Sequence, residues 1–595
     1  MNEVHVDTLA TVTFNDVPEV VFRDIGCFGP TSNHAIFRGL SDSFAHLVNV
    51  ISSSRQKRSV ASSFRGPGFA GPAPASLTGK KLPMLEDLPT LSKDQDIAFL
   101  IHQFSTTVGV VLPFVNTTQL LNDYYRAEEH NLLLPRPTRA LLNIICAYAS
   151  TTLRDPDSGA YYQKALALMD EKTLRGSSLE LIQALLLIGS FEQNNQCSVA
   201  SWTLHAVAVK AAFQHGLHSR SYYKNQGLQD GDLWKRVWYT VVNQDRHLSI
   251  SLGRPCMIPQ VHGHVEAPWN PISKTQDAAL KVSEDNKGLV YFNRIISMDA
   301  IKYSIIDTLY SSNIDTEPLT TKDLIIKRLQ LSLELEQWRQ NTSSSCEILS
   351  ATDIIQWSTL SYSTNRFQIL LSIEFWSVSL LINGSLLTRL LSEVAQEKSS
   401  ASHSTIRTET MISLVKNELE TVNNLSMIIY SVINDGEAFL ECNAAWWKCN
   451  YIMFTVNLHL FAILLICRYM SVMSADSGIE LVDVRSALDH SLKVLQTFEK
   501  ASLMSRKACN CISGFLRLFD TLGSEQPLAA ALDATQEGEP AADVLLDSSW
   551  TMPENVRMVP ENLFSQYVAQ SADEFLLQCS DTAFLDSDMD IVWDL

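Results

Sequence analysis

Positive charge is in deficit: 46 Lys and Arg stand against 65 Asp and Glu, a net of −19. Such a chain has no general attraction to a polyanion, which argues against DNA contact by this chain alone. Paired cysteines are missing too. The 11 Cys are odd in number and scattered, and no C-x-x-C occurs. This argues against a disulfide framework and against a zinc site built from close ligand pairs. Buried free thiols, packing as small apolar groups, are expected instead. The first residues show no basic stretch followed by an apolar run, so no secretory signal is expected. The sequons at Asn116, Asn341 and Asn424 then carry no expectation of a glycan.

Catalytic signatures are equally sparse. Gly66–Gly71 fits G-x-G-x-x-G, but it lies in a Pro/Ser-rich stretch with no strand before it, so it reads as composition. Gly79-Lys80-Lys81 lacks the Ser or Thr of a phosphate loop, and neither G-x-S-x-G nor H-E-x-x-H occurs. His262, His264 and Glu266 lie close together without the downstream P-C-x-x-C of a zinc deaminase, and read as a solvated loop. The acids Asp586, Asp588 and Asp590 sit in a segment with no core to hold them for catalysis. No enzyme, metal or cofactor is expected.

What is present is apolar and uneven. Hydrophobic residues make up 46% of the chain and charged residues 19%, enough to bury a large core. The charge collects at one end. Residues 524–595 hold 15 Asp and Glu and one basic residue, Arg557, a net of −14, leaving −19 + 14 = −5 for the first 523. The same tail carries isolated large apolar residues, including Phe575, Leu576, Leu577, Phe584, Leu585 and Trp593. Acids keep such a segment soluble and extended while the apolar groups stay available to a partner, the pattern of disordered activation segments. Residues 51–82 are rich in Ser, Gly, Pro and Ala and cannot repay the entropy of ordering, so they read as a flexible linker.

Between 83 and 523 a helical period dominates. Val199, Trp202, Ala206, Val209, Phe213 and Leu217 recur at spacings of three and four, one face of a helix. Further helices are predicted near 95–110, 138–151, 159–172, 179–191, 231–250, 289–311, 321–341, 353–394, 406–434, 442–473, 480–500 and 503–522. Gly216 reads as a helix C-terminal stop, and Gly253-Arg254-Pro255 ends the helix that carries Asp245 and Arg246. Residues 450–467 hold no formal charge and are long enough to imitate a membrane span. Asn457 and His459 near its middle favour a helix buried on all sides, so no membrane partner is expected.

Several segments together resemble the regulatory, or middle homology, domain of fungal binuclear zinc-cluster transcription factors. Phe28-Gly29-Pro30-Thr31-Ser32 is similar to the family's G-P-T/S-S motif. Val111–Val115 and Ser178–Leu187 resemble its L-F-P-F and S-L-x-x-x-Q-A-L-L-L regions. Ala200–His218, with Trp202 and Gly216, is followed by Trp234 and Trp238, Asp245-Arg246 and Gly253-Arg254-Pro255 in the family's order. Leu335–Arg339 and Ala445-Trp446-Trp447 also have counterparts. Ala206 stands where the family usually has Gly, and Lys210 is displaced from its common basic position. The expected positions for core anchors are Trp202 and Trp238, and Arg254 is expected near the last carbonyls of a helix.

The resemblance covers about residues 26–520 and implies an all-α fold: a large multi-helix regulatory domain over 83–523, a segment 1–50 with the G-P-T-S motif, the disordered linker 51–82 and the disordered acidic tail 524–595. It implies a nuclear transcriptional regulator of a metabolic gene cluster. Implied partners are the transcription machinery or a co-activator, together with a DNA-binding partner or a second copy. The family's six-cysteine cluster precedes the G-P-T-S motif, and here Cys27 is the one Cys before Gly29. The expectation is therefore an upstream zinc cluster outside this sequence, or a cluster-less regulator or co-regulator.

Overall fold

A helix with one apolar stripe must bury that stripe against another element, and a helix apolar all round must sit between several. Both kinds occur here. The structure, a computed structural model, describes residues 28–56, 97–153, 155, 158–194, 198–224, 228–263, 265–268, 284–314, 319–341, 347–356, 362–395, 405–434, 443–469, 479–498 and 503–523. No strand occurs among the described residues, so the fold is all-α. The helices are α1 Asn33–Gln56, α2 Ile97–Thr106, α3 Thr117–Glu129, α4 Arg136–Thr152, α5 Ser158–Ala167 and α6 Glu171–Leu174. Then come α7 Leu179–Asn194, α8 Ser198–His215, α9 Arg220–Tyr223, α10 Leu228–Leu252, α11 Glu284–Leu309 and α12 Thr321–Gln340. The last are α13 Ala351–Gln356, α14 Tyr362–Ala395, α15 Thr405–Asn434, α16 Asn443–Tyr469, α17 Leu481–Gln496 and α18 Leu503–Gly523.

Two apolar cores form. The first gathers α2, α4, α5, α7, α8 and α10, with Tyr148, Leu185 and Trp238 fully buried. The second gathers α1 and α11 to α18 around α16, with Phe37, Phe44, Phe461 and Phe515 in ring contact. Along their seam α7 packs on α16 and α10 packs on α11.

Two long helices, α1 and α3, have no counterpart in the sequence reading, nor does the short α9, and the one helix expected at 353–394 appears as α13 and α14. Helix α1 runs through Gln56, past the expected linker boundary at 50, and its apolar face packs into the second core. Phe37, Leu40, Phe44 and Leu47, at spacings of three and four, carried that signal. Helix α3 has a short stripe, Leu120, Leu121 and Tyr124, of which Leu120 alone is fully buried, and Asn116 starts it by accepting from the Gln119 amide at 3.0 Å.

The apolar run near 450–467 is the central helix α16, and 89% of its most apolar 18-residue stretch, within Lys448–Arg468, is buried. Asn450, Asn457 and His459 all find partners. Ser491 Oγ donates to Asn457 Oδ1 at 3.0 Å, and Ser505 Oγ donates to Asn450. His459 Nδ1 lies 2.5 Å from Glu418 Oε1, and Glu418 also accepts from Asn383, whose Oδ1 takes the Arg328 Nε–H at 2.7 Å. Pairing of this kind is what lets charge sit inside a core.

A second buried chain of charge crosses the seam. Asn243 on α10 donates to both oxygens of Asp299, at 2.9 and 3.1 Å. Lys302 bridges Asp299, at 3.0 Å, to Glu374, which also pairs with Lys448. Burial, reinforced by Lys302 and opposed by Cys449 and Asp299, pushes Lys448 down to about 7. The unfolded chain binds this proton up to about pH 10.5, whereas the folded chain releases it near 7. Stability should therefore rise between those values, with a slope of at most about 1.4 kcal/mol per pH unit. Urea titrations from pH 7 to 10 should show the rise, and Lys448→Met should flatten it.

Candidate functional site

Gly29, Pro30, Trp202, Asp245, Arg246, Gly253, Arg254 and Pro255 meet at a joint between α8, the end of α10 and the start of α1, while Gly216 and Trp238 lie by the other end of α8. Helix α10 stops at Leu252 because Gly253 turns left-handed, at φ 64°, where a side chain is strained. The Arg254 amide then donates back to the Ser249 carbonyl at 3.1 Å, the long bond of a glycine C-terminal cap. Pro255 follows and cannot continue the helix. Helix α8 ends the same way. Gly216 has φ 92°, and the Leu217 amide donates to the Ala212 carbonyl at 3.1 Å.

Each residue of the G-P-T-S segment has a physical role at this joint. The Gly29 amide donates to the Leu252 carbonyl at 3.3 Å, and the two glycine backbones, Gly29 and Gly253, lie in direct apposition. Pro30 takes a turn position suited to its fixed φ, and the Ser32 amide closes that turn onto the Gly29 carbonyl at 3.0 Å. Thr31 Oγ1 donates to the Ser249 carbonyl at 3.2 Å. Ser32 Oγ accepts from the Ala35 amide at 3.2 Å and so caps α1.

Asp245 and Arg246 hold the strap that follows. Asp245 is fully buried and accepts from the amides of Met257, at 2.9 Å, and Ile258, at 3.2 Å. Arg246 Nη1 pairs with its Oδ2 at 2.5 Å, and the Arg246 guanidinium lies over the Tyr303 ring at 4.6 Å. Asn313 Nδ2 adds bonds to the carbonyls of Ser249, at 3.2 Å, and Arg254, at 3.1 Å. The joint therefore ties both cores together.

Trp238 is the expected core anchor, wholly buried against Phe213 at 5.8 Å. Trp202 is only half-buried. The Arg254 guanidinium stands over it at 5.4 Å and over Phe28 at 6.0 Å, a cation sandwiched between rings at the surface. Phe28 also stacks on His34 at 4.0 Å. Burial and the nearby Arg38 push His34 down to about 4, so its ring is neutral near pH 7.

Other quoted segments are linked too. Gln183, within the S-L-x-x-x-Q-A-L-L-L region, donates to the Phe114 carbonyl at 2.6 Å and pins the Pro113-Phe114 loop. Trp338 donates to Ser297 at 2.7 Å beneath Arg294, 4.0 Å from its ring. Lys210 donates to the Leu174 and Arg175 carbonyls at 3.3 and 3.2 Å. Glu266 pairs with Lys235 at 3.2 Å, away from any catalytic grouping. Among the described residues no three His, Cys, Asp or Glu side chains could hold a metal ion. Phe575, Leu576, Leu577, Phe584, Leu585 and Trp593 lie outside the described residues, as do the side chains of Trp446 and Trp447.

This geometry is that of a helical scaffold with interlocked joints. Residues 101–340 match the family model described as "Fungal specific transcription factor domain", so the chain carries such a domain, from α2 to α12. It is similar to "Transcription factor FBD3" of Gibberella moniliformis, 23% identical across 64% of this chain and 52% of the relative. Against "Transcription factor FBD3" of Fusarium pseudograminearum the identity is 24%, across 74% and 59%. With the "Fusaridione A cluster transcription factor fsdR" of Fusarium heterosporum it is 28%, across 30% and 33%. The chain thus spans little more than half the length of the first two relatives. No solved structure gives a significant match.

Proposed function

We propose that this protein is a nuclear transcriptional regulator, a pathway-specific activator of a metabolic gene cluster. The observation that carries the reading is the fungal transcription factor domain at 101–340, shared with relatives named as transcription factors and with one named for a gene cluster. The helical body is the regulatory unit. The acidic tail from 524, with Phe575, Leu576, Leu577, Phe584, Leu585 and Trp593, recruits the transcription machinery or a co-activator. DNA contact comes from a zinc cluster on a longer form of the chain, from a DNA-binding partner or through a second copy. The body's charge of about −5 supports this division of labour.

The test fuses the full chain to a heterologous DNA-reading domain and measures a reporter. Full activation is expected, with roughly a tenfold loss when 575–595 is removed, because the apolar contacts of such segments supply their binding. A tail-deleted fusion that activates fully removes the tail's role. A fusion that silences the reporter makes the body a co-regulator that dampens a full-length relative.

A further inference from the structure

Nearly all buried polar groups in native proteins find a partner, and this protein follows the rule along α16. Single exceptions are scattered among the described residues, such as Ser41 Oγ, Trp238 Nε1 and Ser426 Oγ, but one layer gathers several. Between α7, α8 and α10, five buried atoms have no hydrogen-bond partner: Gln193 Nε2, Ser201 Oγ, Gln244 Oε1 and both ring nitrogens of His205. All four side chains are less than a tenth exposed. Ser201 and His205 are one helical turn apart on α8, and Gly189 and Gln193 are one turn apart on α7. A Cβ on Gly189 would stand 3.1 Å from Gln244 Nε2 and 3.6 Å from Ser201 Oγ, so the three helices converge there. The Gln244 amide has only a long bond, 3.4 Å, to Ser190. His205 Nε2 stands 3.4 Å from Asp245 Oδ1, out of line for a hydrogen bond.

Apolar residues of the same shape would cost the fold less than these unmatched donors and acceptors. Trp202, next to Ser201 in the chain, is half-buried and stacks under Arg254. The one carboxylate nearby, Asp245, is already matched by Arg246 and two amides, so no net charge invites an ion.

We propose that the α7–α8–α10 layer binds a small uncharged molecule carrying hydroxyl or amide groups. Ser201 and His205 each offer a donor and an acceptor, Gln244 offers an acceptor and Gln193 a donor, which matches such groups and no anion. A ligand there braces α8 against α10 and, through His205 and Asp245, tightens the joint that links the two cores. The proposal concerns the folded chain and does not rest on the transcriptional reading, so the reporter assay can fail while it stands, and the reverse.

The experiment follows thermal unfolding of the full purified chain with glycerol, ethylene glycol and propionamide as probes, each at about 50 mM. At least one should raise the melting temperature by about 2 °C, the shift expected when a probe stands about tenfold above its dissociation constant. The Ser201→Ala/Gln244→Leu variant should lose that shift. Should the double variant not fold, Ser201→Ala alone serves, with at least half the shift lost. No shift with any probe overturns the proposal. An equal shift in wild type and variant, the mark of solute exclusion from the surface, also overturns it.

Discussion

Gly253→Ala should cost about 2–5 kcal/mol of stability, from left-handed backbone strain of about 1–2 kcal/mol and overpacking of about 1–3. Gly253 has φ 64°, and a Cβ on it would overlap the carbonyl and amide of Gly29. Neither backbone can give way easily. Gly29 is fixed by its bond to Leu252 and by the turn it shares with Ser32, and Gly253 closes α10. The variant should lower the urea midpoint and loosen α1 from the joint. Gly39→Ala is the matching control. It lies inside α1 with nothing within 4 Å of an added Cβ, so it should stabilise by about 0.5–1 kcal/mol. If the two alanines behave alike, the Gly29–Gly253 apposition is not a packing constraint.

Asp245→Ala should be as damaging, about 3–5 kcal/mol, because it strips the partner from a buried cation. Arg246 is 2% exposed and would keep its charge with no carboxylate beside it, while the amides of Met257 and Ile258 lose their acceptor. Asp245→Asn keeps an oxygen but turns an NH2 toward donors, so it should recover only part of the loss. Limited proteolysis gives a second reading. The strap from Pro255 to Pro268 is held at Met257 and Ile258 by Asp245, and it should become the first site of cleavage in the alanine variant. Unchanged protection of the strap would show that the carboxylate does not hold it.

Much of this was legible in sequence where the signal was local. The stripe from Val199 to Leu217 predicted α8, and Gly216 and Gly253 marked its end and that of α10, because a left-handed residue is a property of a few consecutive φ and ψ angles. Asn457 and His459 stood out as polar residues in an apolar run, which separated a buried helix from a membrane span. Their partners, Ser491 and Glu418, were invisible, since nothing local to α16 encodes which helices surround it. Trp202 and Trp238 look alike in sequence, yet Trp238 is buried between helices and Trp202 lies at the surface under Arg254. Helix α3 carried a short signal that went unread, Leu120, Leu121 and Tyr124 at helical spacing.

By itself the sequence determined the helical class, the positions of most helices, their stops and the two-part charge, because hydrophobic periodicity, backbone stereochemistry and composition act over a few residues. Only the tertiary structure decided that Gly29 abuts Gly253, that Glu418 meets His459, and that Ser201 and Gln244 converge beside Gly189 with polar atoms left unmatched. Those facts depend on which helix faces lie opposite once both cores have closed. Burial favours any apolar face about equally, so the pairing is set by the whole set of helices packing at once.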